Sequence, residues 1–177
     1  MRIVAGRLGG RNFSSPHGHR TRPMSEKVRG ALFNALGDIE GLSLLDAFAG
    51  SGGLSYEAVS RGASHVIAID SEKAAQNAIA ENIKSLGLRN QIKLIKAKAN
   101  AWLSTTDETY DIIVCDPPYD DLQPNLLDKL AVRAKPGGLV VQSLPPGADI
   151  KLPAGFELVS RKNYGDAELL FYRRTLG

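Results

Sequence analysis

Short, continuous apolar runs alternate along this chain with segments in which apolar residues return every three or four positions. Leu42–Phe48, Val66–Ile69, Ile92–Ile95, Tyr110–Cys115 and Leu139–Gln142 are runs of strand length. Their unbroken apolar character is that of strands covered on both faces, as in a parallel sheet. Between them, Val28, Ala31, Leu32, Ala35 and Leu36 fall on one helical stripe, and Ala74, Ala75, Ala78, Ile79, Asn82, Ile83 and Leu86 on a second. Ser25 is placed to cap the first of these helices, which should run to about Leu36 with Lys27 and Arg29 off the stripe, facing solvent or a ligand. Glu72–Leu86 is the second helix, with Gly87 at its C′ position. Ala99–Leu103 reads as a short turn or helix, and Pro124–Ala134 as a helix followed by a Pro136-Gly137-Gly138 turn. Phe156–Tyr164 and Glu168–Arg173 close the chain as two strands around Gly165-Asp166. The pattern predicts an α/β fold whose mostly parallel sheet carries an antiparallel hairpin at one edge.

The first residues differ in kind. Arg2–Phe13 is extended in character, and Gly9-Gly10 predicts a β-hairpin turn. Ser14–Pro23 has almost nothing apolar and reads as a loop ordered by a ligand. Charge changes the picture here. The net charge is only +3, yet Arg2, Arg7, Arg11, Arg20, Arg22, Lys27 and Arg29 crowd the first thirty positions against Glu26 alone. A basic arm on a near-neutral body points to a polyanionic partner; a merely solvated tail is the alternative. Residues 1–24 are therefore expected to form a basic extension, and 25–177 one domain around one core.

Composition removes several classes of protein. No apolar run approaches the roughly 20 residues of a membrane span, and no apolar segment follows Arg2 to make a secretory signal. Cys115 is the single cysteine, which excludes a disulfide framework and a cysteine zinc site. His17, His19 and His65 are not spaced as metal ligands. A cytoplasmic protein without a metal is expected.

Candidate chemistry lies at two strand ends. Leu42–Phe48 runs into Asp46-Ala47-Phe48-Ala49-Gly50-Ser51-Gly52-Gly53 and then a helix. A strand, glycine-rich turn and helix let a nucleotide-like ligand approach backbone N–H groups closely. Asp70 ends the next strand, about 20 residues on, where a carboxylate can accept ribose hydroxyls. Asp46 either braces the turn or touches the ligand. The second strand end is Asp116-Pro117-Pro118-Tyr119, after Ile112-Ile113-Val114-Cys115. Two prolines end ladder pairing and hold the loop open, leaving one carboxylate and one ring at the carboxyl end of a buried strand. Turn capping by Asp116 and core packing of Tyr119 are the plainer readings. Cys115 reads as a small buried hydrophobe, and Trp102 as core or as an edge to an adenine pocket.

The order of the glycine turn, Asp70 and the Asp-Pro-Pro-Tyr loop resembles class I S-adenosylmethionine-dependent methyltransferases that modify a planar nitrogen. Arg2-Ile3-Val4-Ala5-Gly6, Gly10-Arg11, Arg22-Pro23, Val28-Arg29, Leu32-Phe33-Asn34, Ser60-Arg61-Gly62-Ala63 and Tyr164-Gly165 further resemble the RsmD family. That family methylates the N2 amine of one guanine in bacterial 16S ribosomal RNA. The resemblance implies a Rossmann-like fold with a seven-stranded sheet, S-adenosyl-L-methionine as cofactor, and the small ribosomal subunit as partner of a monomer. It implies that Asp116, Pro117 and Tyr119 are catalytic. Asp46, Phe48, Gly50, Ser51, Gly52, Asp70, Asn100 and Ala101 would bind the cofactor, and Arg7, Arg11, Arg20, Arg22 and Arg29 the RNA. Met24 replaces a common threonine, and Asn100 a common aspartate whose acceptor role its carbonyl oxygen can take. Rival readings are an adenine-N6 DNA methyltransferase, a protein-glutamine methyltransferase, and a non-enzymatic ribosome-assembly factor. The short chain, the basic arm and the intact motifs argue against these in turn.

Overall fold

The structure, a computed structural model, describes residues 1–17 and 23–176. In chain order its elements are α1 (Glu26–Leu36), β1 (Ser43–Asp46), α2 (Gly53–Ser60), β2 (His65–Asp70), α3 (Lys73–Leu86) and β3 (Ile92–Lys96). They continue with α4 (Ala99–Leu103), β4 (Tyr110–Cys115), α5 (Pro124–Ala131), β5 (Ala134–Leu144), β6 (Phe156–Asn163) and β7 (Glu168–Arg174). The strands form one seven-stranded sheet in the order β3-β2-β1-β4-β5-β7-β6. The first five run parallel, and β7 pairs antiparallel with both β5 and β6.

This order decides where a ligand can sit. From β1 the chain steps outward through β2 and β3, then returns to place β4 on the other side of β1. The connections on the two sides of this gap lead away from each other, which opens a crevice at the carboxyl ends of β1 and β4. Asp46 ends β1 and Cys115 ends β4, so both candidate motifs emerge at that switch point.

Continuous burial of Ile112–Cys115 and Val66–Ile69 reflects cover on both faces. One apolar cluster joins Val28, Leu32, Leu54, Val59, Ile79 and Ile83 of α1, α2 and α3 to Leu44, Ile112 and Val114 of the sheet. The opposite cluster joins Leu103, Leu127 and Leu130 of α4 and α5 to Leu45, Ile67 and Ile113. Helix ends follow local chemistry: the Ser25 hydroxyl accepts from Val28 N at 3.1 Å, and Gly87 caps α3 at φ 70°.

The structure departs from the sequence pattern in three places. Helix α1 buries Val28, Arg29, Gly30, Leu32 and Phe33, while Ala35 is exposed; the Phe33 ring packs beneath the guanidinium of Arg61, the C-cap of α2, at 5.5 Å. Helix α5 stops at Ala131, and Pro136-Gly137-Gly138 lies inside β5 as a bulge between the Tyr110–Ala134 and Ile112–Leu139 pairs. Only glycine fits the bulge at 138, where a Cβ would lie 2.9 Å from the Asp111 and Lys135 carbonyl oxygens.

The third departure is at the N-terminus. Arg2 and Asn12 make a single antiparallel bridge, flanked by Ile3 N to Arg11 O at 2.9 Å and Phe13 N to Met1 O at 2.9 Å. The connecting turn is not a tight Gly9-Gly10 turn but a wider one docked on α2. Val4 N and Ala5 N donate to the Glu57 carboxylate at 2.9 and 3.0 Å, Arg7 N to Ser60 O at 2.9 Å, and Leu8 N to Ser60 Oγ at 2.9 Å. Ile3, Leu8 and Phe13 enter the core cluster of α1, α2 and α3.

Candidate active site

The turn between β1 and α2 bends through Gly50 and Gly52 at φ 57° and 83°, backbone that side chains disfavour. Gly52 has a second reason to be glycine: a Cβ there would lie 2.2 Å from the Tyr56 hydroxyl, which itself donates to Ser51 O at 2.9 Å. Asp70 fastens the turn from β2. Its Oδ2 accepts from Gly50 N at 2.8 Å and its Oδ1 from Glu72 N at 2.9 Å, ahead of α3. Below the turn, the buried Asp46 Oδ2 accepts from Ser55 Oγ at 2.8 Å, while Oδ1 has no hydrogen-bond partner. Asp46 thus does brace the turn through α2, and its second oxygen stands as an acceptor without a donor. Phe48 is half-buried beside it, and Asn100 and Ala101 are exposed in the first turn of α4 beyond β3.

The loop after β4 is stiff for reasons beyond its prolines. Asp121 N donates to Pro118 O at 3.0 Å, and Gln123 takes φ 51° before Pro124 opens α5. Pro117 is buried, Asp116 partly so, and Tyr119 is 39% exposed. The Tyr119 hydroxyl hydrogen-bonds Ser143 Oγ of β5 at 3.0 Å.

Burial pushes both carboxyls up, to about 7 for Asp46 and about 7 for Asp116. The Ser55 hydroxyl opposes the shift at Asp46 while the charges of Asp116 and Asp70 add to it; the Ser143 hydroxyl opposes it at Asp116. Burial also drives the Cys115 thiol far above its ordinary value, which keeps it neutral and unreactive. The sign for stability follows from linkage. The folded chain keeps protons on Asp46 and Asp116 that the unfolded chain releases above the ordinary value of 3.8, so their contribution falls as pH rises from about 4 towards 7. A shift of this size at buried Asp46 is worth roughly 4 kcal/mol. Asp46→Asn should therefore come close to the native protein in thermal unfolding near pH 4 and exceed it by roughly 8–16 °C at pH 8. A Tm difference that stays constant across that range would refute the shift.

The predicted RNA contacts separate into groups. Arg7 and Arg11 are exposed, with Arg11 Nη2 donating to Ser85 O of α3 at 3.2 Å. Arg20 and Arg22 lie outside the described residues. Arg29 is not on a solvent-facing side: it is 1% exposed. Its Nε donates to Glu57 Oε1 at 3.1 Å, its Nη2 donates to the Arg2 carbonyl, and its guanidinium covers the Phe13 ring at 5.6 Å. A guanidinium enclosed in this way cannot meet a phosphate; it ties the arm to α1 and α2.

Sequence reasoning missed Ser55, Glu57 and Ser143. The Glu57–Arg61 spacing of four residues was a visible signal for a helical ion pair, and it is present at 2.9 Å. Ser143 offered only a polar residue inside an apolar strand.

The model of the family described as "Conserved hypothetical protein 95" matches residues 1–173. A Bacillus subtilis protein named "Putative rRNA methyltransferase YlbH" is 30% identical, covering 98% of this chain and 99% of its own. Ribosomal RNA small subunit methyltransferase D of Escherichia coli is 29% identical, covering 98% and 90%. The solved structure of "Putative methyltransferase yhhF" from Escherichia coli superposes with a TM-score of 0.88 at 27% identity, covering 100% of this chain and 99% of that one. No helix among the described residues is long and apolar enough to cross a membrane. With the family model matched over nearly its whole length and the glycine turn and Asp-Pro-Pro-Tyr loop meeting at one crevice, the chain belongs to the conserved hypothetical protein 95 family, the RsmD family of methyltransferases.

Proposed function

We propose that this protein transfers a methyl group from S-adenosylmethionine to the N2 amine of a guanine in 16S ribosomal RNA, acting as a monomer on the small ribosomal subunit. The observation that carries the reading is adjacency: the glycine turn and the Asp116 loop leave neighbouring parallel strands at the switch point of the sheet. The residues present fit the cofactor. The positive-φ glycines bring backbone close to a ligand, and the partnerless Asp46 Oδ1 beside them suits a group carrying N–H donors or positive charge. Phe48, Gly50, Ser51 and Gly52, with Asp46, Asp70, Asn100 and Ala101 around them, would hold it. When bound, the cofactor supplies a methyl group on a sulfonium, already electrophilic.

The remaining work falls to the loop. A guanine N2 lone pair is delocalised into the ring and attacks poorly. The Asp116 carboxylate and the Pro117 carbonyl would accept the two amine N–H bonds and turn the lone pair out of the ring plane. The negative charge of Asp116 stabilises the positive charge developing on nitrogen, and its pKa near 7 suits it to take the departing proton. The exposed ring of Tyr119 would stack on the base, worth about 1–3 kcal/mol. Arg7, Arg11, Arg20 and Arg22 would meet phosphates. The choice of ribosomal RNA is supported by the names of the relatives, and the choice of guanine by the RsmD resemblance.

Tritiated-methyl transfer to small subunits, deproteinised 16S RNA, DNA and protein tests this. Label is expected in ribosomal RNA, recovered on nucleoside digestion as N2-methylguanosine. Recovery as N6-methyladenine in DNA, or in protein, would replace the reading.

A further inference from the structure

Gly53 opens α2 and has a reason to be glycine that the bend of the turn does not supply. Its backbone is not left-handed, unlike that of Gly50 and Gly52. A side chain there would meet the N-terminal arm: a Cβ would lie 3.3 Å from Phe13 Cζ and 3.2 Å from Arg29 Nη1. The arm is therefore packed against the first residue of the helix that follows the turn. Phe13 is 6% exposed. Its ring also meets Tyr56 of α2 edge to face, with centroids 4.9 Å apart and planes at 70°. Tyr56 is fully buried, and its hydroxyl donates to Ser51 O at 2.9 Å. One ring of the arm thus bears on the ring whose hydroxyl holds the middle of the glycine turn.

The next residue keeps Phe13 in place. Ser14 N donates to Asn82 Oδ1 at 3.0 Å, and Ser14 O accepts from Asn82 Nδ2 at 2.9 Å. The buried amide of α3 thus pairs with the arm as a neighbouring strand would. On its other side the Arg29 guanidinium covers the Phe13 ring at 5.6 Å. Phe13 cannot slide along α2 without breaking the Asn82 pair. Leu8, by contrast, docks at the other end of α2, where Arg7 N and Leu8 N bond to Ser60. That end is about 10 Å from Gly53 along the helix axis.

We infer that Phe13 is a positioning residue for cofactor binding, holding the glycine turn in its bent form through Tyr56. The inference rests on the methyltransferase reading above. Gly50 and Gly52 make the bend possible, but glycine backbone has many alternatives to it. With Phe13 against Tyr56, the hydroxyl stays on Ser51 O and the turn keeps the form that opens its N–H groups to a ligand. Without the Phe13 ring, Tyr56 gains room towards the arm and its bond to Ser51 O opens more often. The link runs both ways, because coupling between two sites is reciprocal. Cofactor in the turn holds the arm down, and an RNA that steadies the arm readies the turn for the cofactor.

The test is calorimetric titration of the full chain with S-adenosylhomocysteine, with hydrogen exchange of the ligand-free protein followed over residues 49–56. Phe13→Ala is expected to raise Kd about tenfold, the scale of one edge-to-face ring contact. It should also speed exchange at Gly52 N and Tyr56 N, which bond to Ala49 O and Gly52 O in the native turn. Phe13→Leu keeps the apolar fill without the ring edge, carries the comparison if alanine prevents folding, and should raise Kd about threefold. Leu8→Ala should lower Tm while leaving Kd within about twofold of native, since it acts at the distant end of α2. Tyr56→Phe keeps the ring and loses the bond to Ser51 O. Adding Phe13→Ala to it should raise Kd by less than about threefold more, because both changes open one link. A Kd within about twofold of native in the Phe13 variants overturns the inference. So does an equal rise in Leu8→Ala, or a double variant at the full product of the two single effects. If the native protein binds no S-adenosylhomocysteine while Phe13→Ala still speeds exchange, the methyltransferase reading falls and Phe13 remains the residue that holds the turn.

Discussion

Asp116→Ala is expected to lower kcat for methyl transfer by roughly 10³-fold while cofactor affinity stays within about threefold. The size combines what a positioned charge and a positioned proton acceptor each supply, about 10²–10³ and 10²–10⁴ where they have been separated. The retained affinity follows from placement. Asp116 leaves β4, whereas the glycine turn is held by Asp70 of β2, Ser55 of α2 and Asp46 of β1. Asp116→Asn separates two parts of the effect. An amide oxygen still accepts one amine N–H, so placement is partly kept, while the charge is lost. Asparagine should accordingly retain more activity than alanine. The native protein is expected to gain activity as pH rises through about 7, the point to which burial raises Asp116, and that limb should vanish in Asp116→Asn. Single-turnover rates across pH 5.5–9, with cofactor binding measured by titration calorimetry, check both statements. Full activity in Asp116→Ala would remove the loop from the mechanism, and a surviving acid limb in Asp116→Asn would assign the ionisation elsewhere.

How much of this could be read beforehand depends on whether a feature is local. The apolar runs marked β1, β2, β4 and the second half of β5 because these strands are covered on both faces, a property written into consecutive residues, whereas the edge strands β3 and β6 are largely exposed. Asp46, Gly50, Asp70 and Asp116 were legible for a related reason: each sits at a strand end where a turn residue interrupts an apolar run. The features that escaped are long-range pairings. Charge alone puts Arg29 off the α1 stripe, although it stands three, four and seven residues before Leu32, Phe33 and Leu36. It is buried because α2 supplies Glu57 and the arm supplies Phe13, neither visible from the α1 stripe. Ser143 escaped in the same way, since its hydrogen-bond partner lies 24 residues away at Tyr119. The β5 bulge was mistaken for a turn because Pro136-Gly137-Gly138 carries turn chemistry wherever it stands.

The same long-range pairing that hid Arg29 makes Glu57 the residue whose loss should cost the fold most. Glu57 is fully buried, and its two oxygens accept from four donors: Val4 N and Arg29 Nε on Oε1, Ala5 N and Arg61 Nε on Oε2. Burial by itself raises its carboxyl, but the bonds from Val4, Arg61, Ala5 and Arg29 outweigh it and hold the group below its ordinary value of 4.5. Glu57→Ala would leave the enclosed Arg29 guanidinium without its counter-charge and two arm N–H groups without acceptors. Breaking a buried pair on one side costs about 3–5 kcal/mol, a large share of the roughly 5–15 kcal/mol that stabilises a domain. A fall in Tm of roughly 10–15 °C is expected. Replacing both partners, Arg29→Met with Glu57→Leu, removes the uncompensated charge and should recover part of that loss. The pH dependence has the opposite sign to that of Asp46: the Glu57 contribution is present above the unfolded value and is lost as pH falls through the lowered folded value. The gap between native protein and Glu57→Gln should therefore narrow only in strong acid. Denaturant unfolding at pH 7 and pH 3, with proteolysis of the arm followed in parallel, measures each effect. If Glu57→Ala cost no more than about 1 kcal/mol, the arm would be held by Ile3, Leu8 and Phe13 and by its hydrogen bonds to Ser60, and the buried ion pair would have no part in joining it to the helix that follows the glycine turn.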